Sequence, residues 1–109
     1  MLTSPDKVKE FLLSVQETEK DFNVVFTGKM HKRIDGKYFP NDHTISINDR
    51  NFTHASTLLY TAMHEYAHHL QFILRDKTGH NREFWTIFHN LVDTAIEKKL
   101  YMPPPRNQT

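Results

Sequence analysis

From Phe52 to Arg75 the chain contains neither glycine nor proline, and Leu58, Leu59, Ala62, Met63, Tyr66, Leu70, Ile73 and Leu74 recur through that stretch at helical spacing. A long amphipathic helix is the reading that fits, and the rest of the fold has to pack around it. With 109 residues there is room for one core, and 8 Phe, 4 Tyr and 1 Trp supply apolar bulk for it without disulfides, since cysteine is absent. The absence of cysteine also removes thiol nucleophiles and every Cys-ligated zinc ribbon.

The flanking segments are shorter. Ser4, Pro5 and Asp6 read as an N-cap, a proline at the first helical position and an acidic first turn, opening a helix to about Glu19 with Val8, Phe11, Leu12 and Val15 on one side. Short β-prone runs follow at Phe22 to Thr27, Met30 to Ile34, Lys37 to Phe39 and His43 to Asn48, broken at Asp35-Gly36 and at Pro40-Asn41-Asp42. A small antiparallel meander is the simplest arrangement, with Thr44 to Ile47 as a candidate edge strand. After the break at Asp76 to Gly79, a last helix begins near Asn81, carrying Phe84, Ile87, Phe88, Leu91, Val92, Ala95 and Ile96. We expect one domain over residues 1–102 and an extended proline-rich tail over 103–109.

The long helix carries His64-Glu65-Tyr66-Ala67-His68. Residues four apart share a helix face, so both imidazoles can reach one metal ion at about 2.0 to 2.1 Å. On a wheel of about 100° per residue, with His64 at zero, His68 falls near 40° and Gln71 near −20°, while Leu59, Tyr66, Leu70, Ile73 and Leu74 cluster at roughly 180° to 280°. Glu65, near 100°, stands beside the metal position without ligating it, in reach of a water that it could deprotonate. Coincidence explains the pattern poorly, since a shuffled chain of this composition gives roughly 0.03 matches.

A hydrolytic zinc needs a third protein ligand and an open position. His69 is rotated about 100° from His68 and points elsewhere. The chain can return from Arg75 to the metal within Asp76 to His80, so His80 is the favoured third ligand. Glu83, one turn further on the same face, is the alternative.

Thr61-Ala62-Met63-His64-Glu65-Tyr66-Ala67-His68, followed by Gly79-His80-Asn81-Arg82-Glu83-Phe84, resembles the SprT-like zinc metalloprotease domain with its HExxH and GHxxxF patterns. The resemblance covers roughly His43 to Trp85. It implies an α+β zincin-like domain in minimal form, with an N-terminal helix, a small mainly antiparallel sheet, the HExxH helix and a C-terminal helix. It also implies one Zn2+ per chain on His64, His68 and His80, with Glu65 as catalytic base for hydrolysis of peptide bonds. The segment Thr44, Ile45, Ser46, Ile47 resembles the family's strand before the active helix, along which extended substrate backbone is thought to pair. Many family members append a Cys-rich ribbon or a DNA-binding tail, so the resemblance supports peptide hydrolysis better than a DNA-repair role.

Other features carry less. Tyr60, one turn before His64, could orient a ligand or stabilise an oxyanion, whereas Tyr66 lies on the apolar side. Lys29, Lys32, Arg33 and Lys37 could contact phosphates, but a net charge of +1 argues against a duplex-coating protein. His31, His43, His54 and His89 have no evident partner and are expected at the surface. The charged N-terminus and the lack of any membrane-length apolar run lead us to expect a cytoplasmic protein. A competing reading is a zinc-stabilised module that binds protein or nucleic acid without catalysis.

Overall fold

A computed structural model describes residues 2–103. Helix α1 spans Pro5–Val15, strands β1, β2 and β3 span Asn23–Phe26, Gly36–Phe39 and Thr44–Ile47, and helices α2 and α3 span Ala55–Arg75 and Arg82–Glu97. Beyond Pro103, the expected tail lies outside the described residues.

Helix α1 begins as its cap residues dictate, with the Ser4 hydroxyl accepting from the Lys7 N–H. It ends at Val15, short of the expected Glu19. Its last carbonyls are taken from outside the helix: Lys98 donates to Ser14 and Val15, and the Tyr66 hydroxyl donates to Gln16 at 2.6 Å. With those acceptors engaged, the chain leaves the helix and runs extended into β1.

The sheet is mixed, in the order β1-β3-β2, and not an antiparallel meander. β1 pairs with β3 in parallel, Val24 opposite Ile45, and β2 pairs with β3 antiparallel, Tyr38 opposite Ile45. β3 is therefore the central strand, and the expectation that Thr44, Ile45, Ser46 and Ile47 form a substrate-pairing edge is corrected: their backbone faces neighbours on both sides. Alternation in Thr44 to Ile47 reports one buried face, which a central strand in a sheet covered by helices on that face shares with an edge strand. The edge nearest α2 is β2.

Met30 to Ile34 does not form a strand, because side chains satisfy its backbone in place of a neighbouring strand. Asp49 accepts from the Gly28 N–H, Asn51 bridges the His31 N–H and carbonyl, Asn48 donates to the Ile34 carbonyl, and the His31 ring accepts from the Arg33 and Ile34 N–H groups. Gly28, at φ 70°, supplies the left-handed turn that starts this loop.

Helix α2 runs through the middle of the molecule, against the sheet and α1 on one side and α3 on the other. Val8 and Leu12 of α1, Ile45 and Ile47 of β3, Leu58, Ala62 and Tyr66 of α2, and Phe84, Phe88 and Leu91 of α3 form one buried cluster. The wheel places Leu70 and Leu74 together in the core, but Leu70 is 7% exposed and Leu74 66%, because the last turn of α2 projects past the sheet. Leu70→Ala should therefore cost about 2 to 5 kcal/mol and Leu74→Ala no more than about 0.5 kcal/mol in urea unfolding. Equal losses would contradict this placement of the helix end.

Candidate metal centre

His64 and His68 sit one turn apart on α2, and the four-residue break from Asp76 to Gly79 turns the chain back so that His80, just before α3, meets them. Asp76 makes the turn, adopting the left-handed conformation at φ 60° and returning its N–H to the Phe72 carbonyl. Asn81 then caps α3, its side chain accepting from the Phe84 N–H at 2.9 Å. His80 Nε2 consequently lies 3.2 Å from Nε2 of His64 and 3.2 Å from Nε2 of His68. Two ligands held about 2.0 to 2.1 Å from one tetrahedral ion are themselves about 3.4 Å apart, so the three imidazoles fit a single small divalent cation. They could hold a metal ion, and they are nitrogen donors throughout.

Glu83 does not join them. Its carboxylate is held by Arg75 at 2.6 Å and by Gln71 at 3.1 Å, which holds it below the usual carboxylate range, and it lines a separate depression behind the loop. The alternative of Glu83 as third ligand is corrected accordingly. One turn after His80 shares a face only if both residues are helical, and His80 precedes the helix.

The imidazoles open on a cleft of about 570 Å³ between α2 and β2, lined also by Tyr60, Thr61, Glu65, Thr78 and the backbone from Arg33 to Tyr38. β2 can come this close because it begins with Gly36. A Cβ there would stand 3.0 Å from the Ser46 carbonyl oxygen, 3.2 Å from Thr61 Cγ2 and 3.4 Å from Glu65 Cγ. Glu65 is buried against this strand, and burial pushes its carboxyl up to about 7. Burial likewise pushes His68 down to about 4, with His64 and His80 adding to the effect, and lowers His64.

Phe84 stacks on the His68 ring at 4.2 Å, and Trp85 stacks on His80 at 5.8 Å from the rim. Tyr60 is exposed at the cleft and packs edge-on against Phe88, while Tyr66 is core. Arg33 and Lys37 border the cleft, and with their neighbours they form a loop and the start of a strand.

Several functional neighbours escaped the sequence reading. His69 is fully buried and faces away from the metal position: its Nε2–H donates to the Lys20 carbonyl, so its Nδ1 accepts from the Tyr38 hydroxyl at 2.8 Å. His43, expected at the surface, donates to the Tyr38 oxygen and packs on His69. Gln71 is 2% exposed and contacts the loop that carries His80. Its wheel position near His64 was the available signal; Thr78 and Gly36 had none.

The SprT-like family model matches residues 6–102, so the α+β fold and its histidine cluster belong to a known class of domain. The chain is a member of the SprT-like family. No curated protein sequence and no solved structure matches it. Among the described residues no helix is long and apolar enough to cross a membrane.

The two sets of shifts act on stability in opposite directions. Between pH 6.5 and about 4 the unfolded chain binds more protons than folded His68, so that residue's contribution is lost as pH falls. Between 4.5 and about 7 folded Glu65 binds more protons than the unfolded chain, so its contribution grows as pH falls. In metal-free protein, Glu65→Gln should therefore make the urea midpoint fall more steeply between pH 6.5 and 4.5 than it does in wild type. Equal slopes would contradict the buried state of this carboxyl.

Proposed function

We propose that the protein is a zinc-dependent peptidase with Glu65 as general base. The observation that carries this reading is the convergence of three imidazole Nε2 atoms in an open cleft beside one buried carboxylate. His64, His68 and His80 would hold the zinc ion, which when bound would act as a Lewis acid toward the scissile carbonyl and lower the pKa of a bound water. Glu65 takes the proton of the attacking water and passes it to the leaving amine. A carboxyl raised by burial suits that double duty, because it holds a proton more readily than a solvated one. Tyr60 is exposed and lines the cleft, which supports giving it the role of hydrogen-bond donor to the developing oxyanion.

Substrate enters as extended backbone. The role expected of Thr44 to Ile47 passes to β2, whose free edge borders the cleft and can add a strand through main-chain bonds with little demand on side chains. Unfolded or loop-rich proteins are the corresponding substrate class.

Purified protein should carry about one zinc per chain, His64→Ala, His68→Ala and His80→Ala should lose it, and Glu83→Gln should keep it, all by metal analysis. Zinc retained in His80→Ala and lost in Glu83→Gln would overturn the ligand set. Glu65→Gln should keep zinc and fold while hydrolysis of unfolded protein falls about 10² to 10⁴-fold, assayed with and without single-stranded DNA. If wild type and Glu65→Gln both hold zinc and are equally inert across such a screen, the chain is a zinc-stabilised binding module and not an enzyme.

A further inference from the structure

The side chain of Gln71 is almost entirely buried, yet all of its hydrogen-bonding capacity is used on the segment that brings His80 to the cleft. Its amide orientation is fixed from both ends. Oε1 lies 3.1 Å from the Gly79 N–H, which can only donate. Nε2 lies 3.1 Å from the Glu83 carboxylate, which can only accept, and 2.8 Å from Asn81 Oδ1, which already accepts the Phe84 N–H.

With the amide so fixed, Oε1 is also the acceptor 3.0 Å from the Thr78 hydroxyl. That hydroxyl has one proton, and Gln71 takes it. Thr78 Oγ1 also lies 2.8 Å from His68 Nδ1 and has only its lone pairs left to offer there. His68 must then carry its proton on Nδ1, which leaves the Nε2 lone pair bare, and Nε2 is the atom that faces His80 Nε2.

We infer that Gln71 and Thr78 are positioning residues for the metal: Gln71 orients the Thr78 hydroxyl, and Thr78 fixes His68 in the tautomer that can ligate a divalent cation. The same amide holds Gly79 beside His80 and, through Asn81 and Glu83, the first turn of α3. One buried side chain thereby sets both the tautomer of one ligand and the place of another. The inference rests on the reading of the histidine cluster as a zinc site, but its first test does not involve zinc.

In metal-free protein at neutral pH, nitrogen-15 NMR of the imidazoles should show His68 protonated on Nδ1. In Gln71→Met the Thr78 proton loses its acceptor and can turn to His68, so the population should shift toward the Nε2-protonated form. Chelator competition should find zinc bound about 10 to 100-fold more weakly by Thr78→Val, while Thr78→Ser, which keeps the hydroxyl, stays within about threefold of wild type. Circular dichroism should show Thr78→Val folded, since valine matches threonine in shape. Wild-type His68 protonated on Nε2 would overturn the inference, as would Thr78→Val at wild-type affinity or Thr78→Ser as weak as Thr78→Val. Wild type that binds no zinc at all would overturn the metal reading itself, whichever tautomer His68 shows.

Discussion

Helix α2 carries His68, His69 and Gln71 into the interior, where buried polar atoms must find partners other than water. Among the described residues no buried side-chain nitrogen or oxygen lacks one. That requirement shapes most of the chain. His69 is satisfied by Tyr38 and the Lys20 carbonyl, which pins β2 and the segment after α1 to one side of the helix. His68 and Gln71 are satisfied by the loop and α3, which pins those to the other. Consecutive histidines thus serve opposite faces, one as a joint in the fold and one as a member of the imidazole cluster.

The joint between α2 and α3 shows how little separates structure from site. Asn81 is a helix cap by type and position, but the oxygen that accepts the Phe84 N–H also accepts the Gln71 amide. The Arg75–Glu83 pair is half in solvent and by itself contributes little stability. Its consequence is geometric: it holds Glu83 away from the imidazoles and supplies the acceptor that orients Gln71. A carboxylate that looks like a ligand by spacing is thereby turned into part of the scaffold that places the imidazoles.

What could be read from the sequence was what local chemistry determines. The i, i+4 spacing of His64 and His68, the caps at Ser4 and Asn81, and the return to His80 follow from helix geometry and chain reach. The three helices follow from periodicity, and the α+β class is what the family resemblance implies. Strand order was not legible, because four-residue strands show which residues are buried and not which neighbours bury them. The run from Met30 to Ile34 misled for a related reason: its residues favour strands, but Asn48 and Asn51, distant in sequence, take its backbone. Gln71 lay on the histidine face of the wheel, but its role depends on the folded loop, which no periodicity encodes.

The free edge of β2 also bears on solubility. An exposed strand edge can pair with any other extended chain, including a second copy of the same protein, and soluble proteins guard such edges. Here the edge is four residues long, begins with a glycine and is ended by Pro40, which has no N–H to extend a ladder. Lys37 places its ammonium 5.1 Å from the Phe39 ring, putting a charge over the most apolar side chain of the exposed face. These features make lateral growth into a larger sheet unfavourable, so the strand that borders the cleft is also built to limit self-association.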